Sequence, residues 1–345
     1  MLSHKYLAGA AGTIPPPPRL CFASTMPFFR GIEGFQLRRL HSPPAVPLLH
    51  TQSDPRKTSA AANWAPLARF IDGEARIGRW AQRRKPTVFA YEFIRFGIKQ
   101  GWACLFGAAM VALIVGTHLW YPRGAALSRY DFMFVAALAI QAGMLTFKLE
   151  TWEEARVILI YHVVGTAMEV FKTDVGSWIY PEPSIFRIAG VPLFSGFMYA
   201  AVGSYIARCW RLFDFCFLRH PPLWSVHLLA VAIYINFFAH HYVADLRYLL
   251  FAATALLFAR TWIYYKIWRV HRRMPMLLGL GLVSLFIWIA ENLGTFTRTW
   301  LYPHQMVGWS AVSLGKLGSW FLLLIISYAL VAAVNRPVAV DKGSS

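Results

Sequence analysis

The chain has 345 residues, 57% hydrophobic, 16% aromatic and only 14% charged, where a soluble domain carries roughly 25% charged residues. This excludes an ordinary water-soluble core: long apolar runs recur after residue 96, and a helix of about 20 such residues crosses a bilayer. The net charge of +18 does not indicate nucleic acid, because residues 1–96 hold 14 Lys/Arg against 5 Asp/Glu and the remaining excess clusters in alternate loops, as membrane topology requires.

Residues 1–60 contain a proline run, Pro15 to Pro18, and no helical or strand period. They read as a disordered leader or a gene-model artefact, with Met26 as the alternative start. Their Arg-rich, acid-poor composition also resembles a transit peptide. Residues 61–96 mix Arg69, Arg76, Arg79, Arg83, Arg84 and Lys85 with Trp80, Phe89 and Phe93, the composition of a basic amphipathic segment lying on a membrane surface. The four cysteines, Cys21, Cys104, Cys209 and Cys216, form no Cys-x-x-Cys pair, so the sequence supports neither a disulfide framework nor a zinc site.

The expected fold is an all-α, polytopic transmembrane bundle over residues 97–335. About eight spans are read, at 97–119, 131–149, 154–172, 188–208, 223–240, 246–265, 275–294 and 308–334. Proline and glycine punctuate the gaps, as at Pro122, Pro181, Pro183, Pro221, Pro222 and Pro303. With the N-terminus inside, the inner loops hold Lys148, Arg156, Arg208, Arg211, Arg219, Lys266, Arg269, Arg272, Arg273 and Arg336. The outer loops hold Arg123, Arg129, Lys172, Arg187, Arg247 and Arg298. The positive-inside rule then places both termini, including the tail at 336–345, in the cytoplasm. No typical secretory signal precedes the first span.

Two segments share the register Glu-x3-Thr-x4-Trp-x-Tyr-Pro without a gap: Glu169, Thr173, Trp178, Tyr180, Pro181 and Glu291, Thr295, Trp300, Tyr302, Pro303. They close the third and seventh spans, four spans apart. This suggests a 4+4 parallel internal repeat with both copies on the outer side. The Trp-x-Tyr-Pro part also describes an aromatic belt followed by a helix stop. The glutamates are harder to assign to topology, since a carboxylate within an apolar span costs about 2.5–3.5 kcal/mol on insertion scales. A hydrogen-bonded structural pair and a shared functional site both remain open for them.

Other polar groups gather near the same face. His162 lies two turns before Glu169 on the same helix face. Lys316 lies inside the last span, with Glu291 or Glu169 as its expected partner. Asn236, His240, His241 and Asp245 close the fifth span. The candidate catalytic set is Glu169, Glu291 and His162; Trp178, Tyr180, Trp300, Tyr302, Asn236 and Lys316 are candidate substrate contacts. A metal would draw on His240, His241 and Asp245, but adjacent histidines on a helix splay to different faces and no His-x3-His or Glu-x2-His pair occurs, so no metal is assigned. The sequence carries no Gly-x-Ser-x-Gly, Walker or Gly-x-Gly-x-x-Gly motif, and the cofactor is unknown.

The stretches Gly165-Thr-Ala-Met-Glu-Val-Phe-Lys, Gly176-Ser-Trp-Ile-Tyr-Pro-Glu and Gly190-Val-Pro-Leu-Phe-Ser-Gly-Phe-Met-Tyr carry a resemblance. So do Asn236-Phe-Phe-Ala-His-His-Tyr, Glu291-Asn-Leu-Gly-Thr and Leu314-Gly-Lys-Leu-Gly-Ser-Trp. Together they resemble the domain of unknown function 817 family, YoaT-like bacterial integral membrane proteins, over roughly residues 88–335. The resemblance implies a multi-span protein of the bacterial inner membrane and supplies no activity.

Three functions are compatible with these residues. One is a membrane enzyme on a lipid or isoprenoid, with the two glutamates as acid and base in low-dielectric surroundings. The second is a proton-coupled small-molecule transporter. The third is a structural or assembly protein. Membrane lipid is the expected partner and nucleic acid is not.

Overall fold

The computed structural model describes residues 85–122, 124–147, 149–268 and 271–339. The leader, the surface segment up to residue 84 and the end of the tail lie outside these residues. Nine α-helices occur among the described residues: α1 Lys85–Ala103, α2 Leu105–Trp120, α3 Arg129–Thr146, α4 Trp152–Asp174, α5 Phe194–Leu212, α6 Leu223–Ala239, α7 Arg247–Phe258, α8 Met276–Phe296 and α9 Leu314–Val334. The fold is mostly helical. Helices α8 and α9 are long and apolar enough to cross a membrane, and α1 with α2 meets the same test only as a pair bent by 67°.

The helices fall near the eight apolar segments of the sequence, with two departures. The first segment, 97–119, contains the bend at Cys104, so its opening residues belong to α1. The sixth, 246–265, is helical only to Phe258. Twelve residues rise about 18 Å, short of the roughly 30 Å hydrocarbon thickness. Beyond Phe258 the chain becomes a strand, and Trp262-Ile-Tyr-Tyr-Lys266 is rich in aromatic and branched residues, which favour a pleated ribbon.

That strand belongs to a small sheet absent from the all-α expectation. Strands β1 Arg187–Ile188 and β2 Val191–Pro192 make a separate hairpin; β3 Cys216–Leu218, β4 Trp262–Lys266, β5 His271–Pro275 and β6 Val338–Ala339 assemble in the order β5-β4-β3-β6. The β3–β4 and β4–β5 pairs are antiparallel, and β6 joins β3 in parallel. Helix α1 is tied to this end of the molecule: Lys99 Nζ donates to the carbonyls of Leu212 (2.9 Å) and Lys266 (2.8 Å), and Arg272 pairs with Glu92 at 2.5 Å.

The charges that open α4 are absorbed locally. Thr151 and Glu154 form a reciprocal capping box, and Glu154 pairs with Arg211 at 3.0 Å. Beside them, fully buried Arg208 and Glu150 lie 3.4 Å apart, with Ser204 Oγ donating to the same carboxylate at 3.1 Å.

Helices α4 and α5 are closely packed. A Cβ on Gly203 would lie 2.6 Å from the Tyr161 ring, and one on Gly165 would lie 2.7 Å from Tyr199. Small residues let helix backbones approach this closely. The core then runs through Phe106, Met110, Phe197, Ile233, Leu322 and Ile325, joining α2, α5, α6 and α9.

Candidate functional site

The site is built where α4 and α8 end, and the two ends are made alike. After α4, Val175 N–H bonds Phe171 O, Gly176 N–H bonds Thr173 O, and Ser177 N–H bonds Lys172 O; after α8, Thr297, Arg298 and Thr299 bond Leu293, Thr295 and Gly294 at the same offsets. The equivalent residues Gly176 and Arg298 both adopt left-handed backbone, with φ of +71° and +54°, as closing a helix this way requires. The segments then meet. Ile179 and Leu301, the middle residues of the two Trp-x-Tyr motifs, exchange backbone hydrogen bonds of 2.9 and 3.0 Å as an isolated antiparallel bridge. Helix α3 braces both turns: Arg129 pairs with Glu182 at 2.9 Å, and Tyr130 OH donates to Thr299 O at 2.8 Å.

This frame aims the motif side chains at the glutamates. Glu169 is buried and accepts three hydrogen bonds, from Trp178 Nε1 (2.7 Å), Tyr180 OH (2.6 Å) and Tyr199 OH (2.7 Å). Glu291 is buried and accepts from Tyr302 OH and, at 2.6 Å, from Trp320 Nε1. In each copy the motif tyrosine and one aromatic residue of the next helix, Tyr199 of α5 or Trp320 of α9, meet the carboxylate. A carboxylate taken from water survives only with such donors. Lys316 makes no ion pair with either glutamate among the described residues. Its Nζ lies over the rings of Tyr302 (4.6 Å) and Trp178 (5.4 Å), the residues that donate to the two carboxylates.

A second polar group sits alongside. Helix α6 ends at Ala239, so His240 and His241 do not splay around a helix; their rings lie 4.1 Å apart. Both approach Lys172 Nζ, His241 Nε2 at 2.8 Å and His240 Nε2 at 3.5 Å. Among the described residues no cluster of three or more His, Cys, Asp or Glu is placed to hold a metal. Asn236 holds the loop after α6, donating to Asp245 Oδ1 (3.1 Å) and accepting from Leu246 N–H (3.0 Å). Asp245 pairs with Arg247 at 2.9 Å. Burial works against the charge on Asp245, but the Asn236 amide, the Arg247 N–H and the Arg247 guanidinium hold its carboxyl below the usual range.

Both groups open onto one cavity of about 880 Å³, at the large end of the roughly 300–1,000 Å³ typical of small-molecule sites. Its polar end carries Glu169, Glu291, Lys172, Lys316, Asn236 and His240; its far end runs between Gly97, Gly101, Gly107 and Gly279 to Gln100 and Tyr205. The walls between are overwhelmingly apolar.

The structure therefore brings together Glu169, Glu291, Trp178, Tyr180, Trp300, Tyr302, Asn236 and Lys316 on this cavity. His162 is not brought in: its ring packs between the helices, 4.6 Å from Phe197 and against Gly196, and it does not line the cavity. Trp300 lines the cavity but packs on Gly294, and Trp320 is the indole that reaches Glu291. Sequence reading did not single out Tyr199, Trp320 or Lys172 for the site. The only local signal for the first two was a small-residue stretch before an aromatic, Leu-Gly-Lys-Leu-Gly-Ser-Trp320 and Ser-Gly-Phe-Met-Tyr199.

The chain is similar to the "Uncharacterized protein YoaT" of Bacillus subtilis (strain 168), with 41% identity over 245 residues that cover 71% of this chain and 92% of that protein. No solved structure matches it. A family profile described as "Protein of unknown function (DUF817)" matches residues 92–328, the part of the chain that holds both glutamates, their aromatic donors and the cavity, and the chain belongs to that family.

Proposed function

We propose that the protein is a bacterial inner-membrane enzyme that holds a lipid or isoprenoid in the cavity and uses Glu169 and Glu291 as its acid–base pair. The observation that carries this reading is the cavity itself: a long apolar slot of about 880 Å³ that ends on two buried carboxylates. Such a shape suits an amphiphile whose reacting end lies beside the glutamates and whose tail lies among the glycines of α1, α2 and α8. Glu291, with two donors against three on Glu169, retains the greater capacity to exchange a proton with a bound molecule.

The membrane setting is supported by helices apolar on every side. On α6, Val226, Leu229 and Ile233 face inward, while Trp224, Leu228, Val231 and Ile235 are 54–68% exposed. A helix apolar all round belongs in a core or in lipid. In this reading α2–α9 are the eight membrane segments, α7 reaching only part of the way across, arranged as α2–α5 and α6–α9 in a 4+4 parallel repeat about an axis through the Ile179–Leu301 bridge. Both termini lie in the cytoplasm, on the sheet side, where Lys266, Arg272 and Arg273 gather. The same pseudo-symmetry favours a second reading, a proton-coupled transporter with a glutamate as the titrating site.

The test is lipid analysis of bacterial cells lacking the protein. Loss should change one lipid or isoprenoid species, and the wild-type gene should restore it. Restoration by the Glu169→Gln, Glu291→Gln double variant would sink the enzyme reading. Proteoliposome uptake that depends on pH and on either glutamate would select the transporter.

A further inference from the structure

The polar end of the cavity holds two lysines that make no direct ion pair with the carboxylates around them. Lys172, Lys316 and Arg247 all line it. Arg247 has its counter-ion in Asp245 at 2.9 Å. The two lysines touch none: among the described residues neither lies within 4 Å of a carboxylate oxygen. Lys172, only 4% exposed, instead contacts His241 Nε2 at 2.8 Å and sits 4.2 Å from the centroid of the Phe237 ring. Lys316 lies on the faces of Tyr302 and Trp178. Aromatic faces hold an ammonium but do not neutralise it, and an ammonium kept from water gains from a direct anionic partner. The nearby carboxylates accept from Trp and Tyr donors and from neither lysine.

Resting on the amphiphile reading above, we infer that this end of the cavity binds the phosphomonoester head of a single-chain membrane amphiphile, with Lys172 and Lys316 as its counter-ions and the apolar slot holding the chain. Two lysine ammonium groups with no direct ion pair can both turn to the three oxygens of a phosphomonoester, whose roughly −1.5 to −2 charge at neutral pH engages two cations where a carboxylate engages one. Asn236 and His240 line the same end and supply further polar contacts. The tail has a route in from the side. Phe93 of α1 and Phe286 of α8 line the cavity and are 67% and 71% exposed, so the slot reaches the lateral surface between these helices. The glutamates then stand beside the carbon that bears the phosphate ester.

The test is binding to the purified full-length protein in a neutral maltoside detergent, read by quenching of intrinsic tryptophan fluorescence. Dodecyl phosphate is compared with dodecanol, dodecanoate and inorganic phosphate, on wild type and on Lys172→Gln and Lys316→Gln variants whose thermal unfolding is checked first. Dodecyl phosphate is expected to bind more tightly than dodecanol or dodecanoate by about tenfold or more, and each lysine variant to lose about tenfold for the phosphate while leaving dodecanol unchanged. Equal binding of dodecanol and dodecyl phosphate would overturn the head-group assignment and leave the apolar site standing. Absence of binding by any of the chains would overturn both. Inorganic phosphate binding as tightly as dodecyl phosphate would overturn the role given to the tail. Farnesyl phosphate against lysophosphatidic acid then separates an isoprenoid source of the phosphate from an acyl lipid. If either variant unfolds, Lys→Arg at the same position keeps the charge and should retain the preference for phosphate; loss of that preference in a folded Arg variant counts against a charge-based site.

Discussion

The Glu169 and Glu291 sites share a backbone and differ in their side chains. Both end a helix with the same cap and both meet at the Ile179–Leu301 bridge. Yet Trp178 reaches Glu169 while its counterpart Trp300 does not reach Glu291. The reason lies on the helix three residues after each glutamate. The first copy has Lys172 there and the second has Gly294, on whose bare backbone the Trp300 ring lies. Trp178 has no such floor and turns toward the carboxylate, which gains a third donor. A hydrogen-bonded frame can thus be kept while one residue redirects an aromatic side chain and leaves one glutamate less encumbered than the other.

The largest test of this comparison is removal of each carboxylate. Glu169→Ala strands three donors, of which Trp178 and Tyr180 are buried, and is expected to cost about 3–5 kcal/mol of stability; Glu291→Ala strands two and is expected to cost less, by about 1–2 kcal/mol. Unfolding of the detergent-solubilised variants measures both. An equal or reversed order would mean that the third donor adds nothing.

Next in size is Gly294→Ala. The added Cβ collides with the Trp300 ring, so the ring must leave its floor, at about 1–3 kcal/mol for an overpacked site. Changed tryptophan fluorescence should accompany the loss. An unperturbed spectrum and stability would show that Gly294 does not set the position of Trp300.

The smallest effect is at the two left-handed residues. Arg298 is an exposed non-glycine residue at φ +54°, and such backbone costs an L-residue about 1–2 kcal/mol. Arg298→Gly should therefore stabilise by up to about 1 kcal/mol, and Gly176→Ala should destabilise by a similar amount. If both changes are neutral, the two turns do not carry equivalent strain.

Local features of the sequence anticipated much of this. The repeated Glu-x3-Thr-x4-Trp-x-Tyr-Pro register located both glutamates and both caps, because a helix end and its stop signal are written in consecutive residues. The place of Lys316 and Asn236 near the ends of their apolar segments puts them on the same face as the glutamates, and both line the cavity. The sequence did not anticipate that His162 would point between α4 and α5, since spacing along a helix gives a face and not the neighbour that covers it. The sixth apolar segment reads as one helix because a short apolar run looks the same in a buried strand, and pairing with β3 and β5 decides between them.

By itself, then, the sequence determined where apolar helices lie, where they stop and which acidic residues interrupt them, since these depend on composition and on periods of a few residues. Only the tertiary structure decided that Tyr199 and Trp320 close the carboxylate sites, that Lys172 lies beside His240 and His241, and that Tyr199, Trp320, Lys172 and His240 line one cavity. Those contacts join residues as many as 69 positions apart, as between Lys172 and His241. They exist because glycines let α4 and α5 approach and because two distant turns pair at a single bridge, which no local pattern encodes.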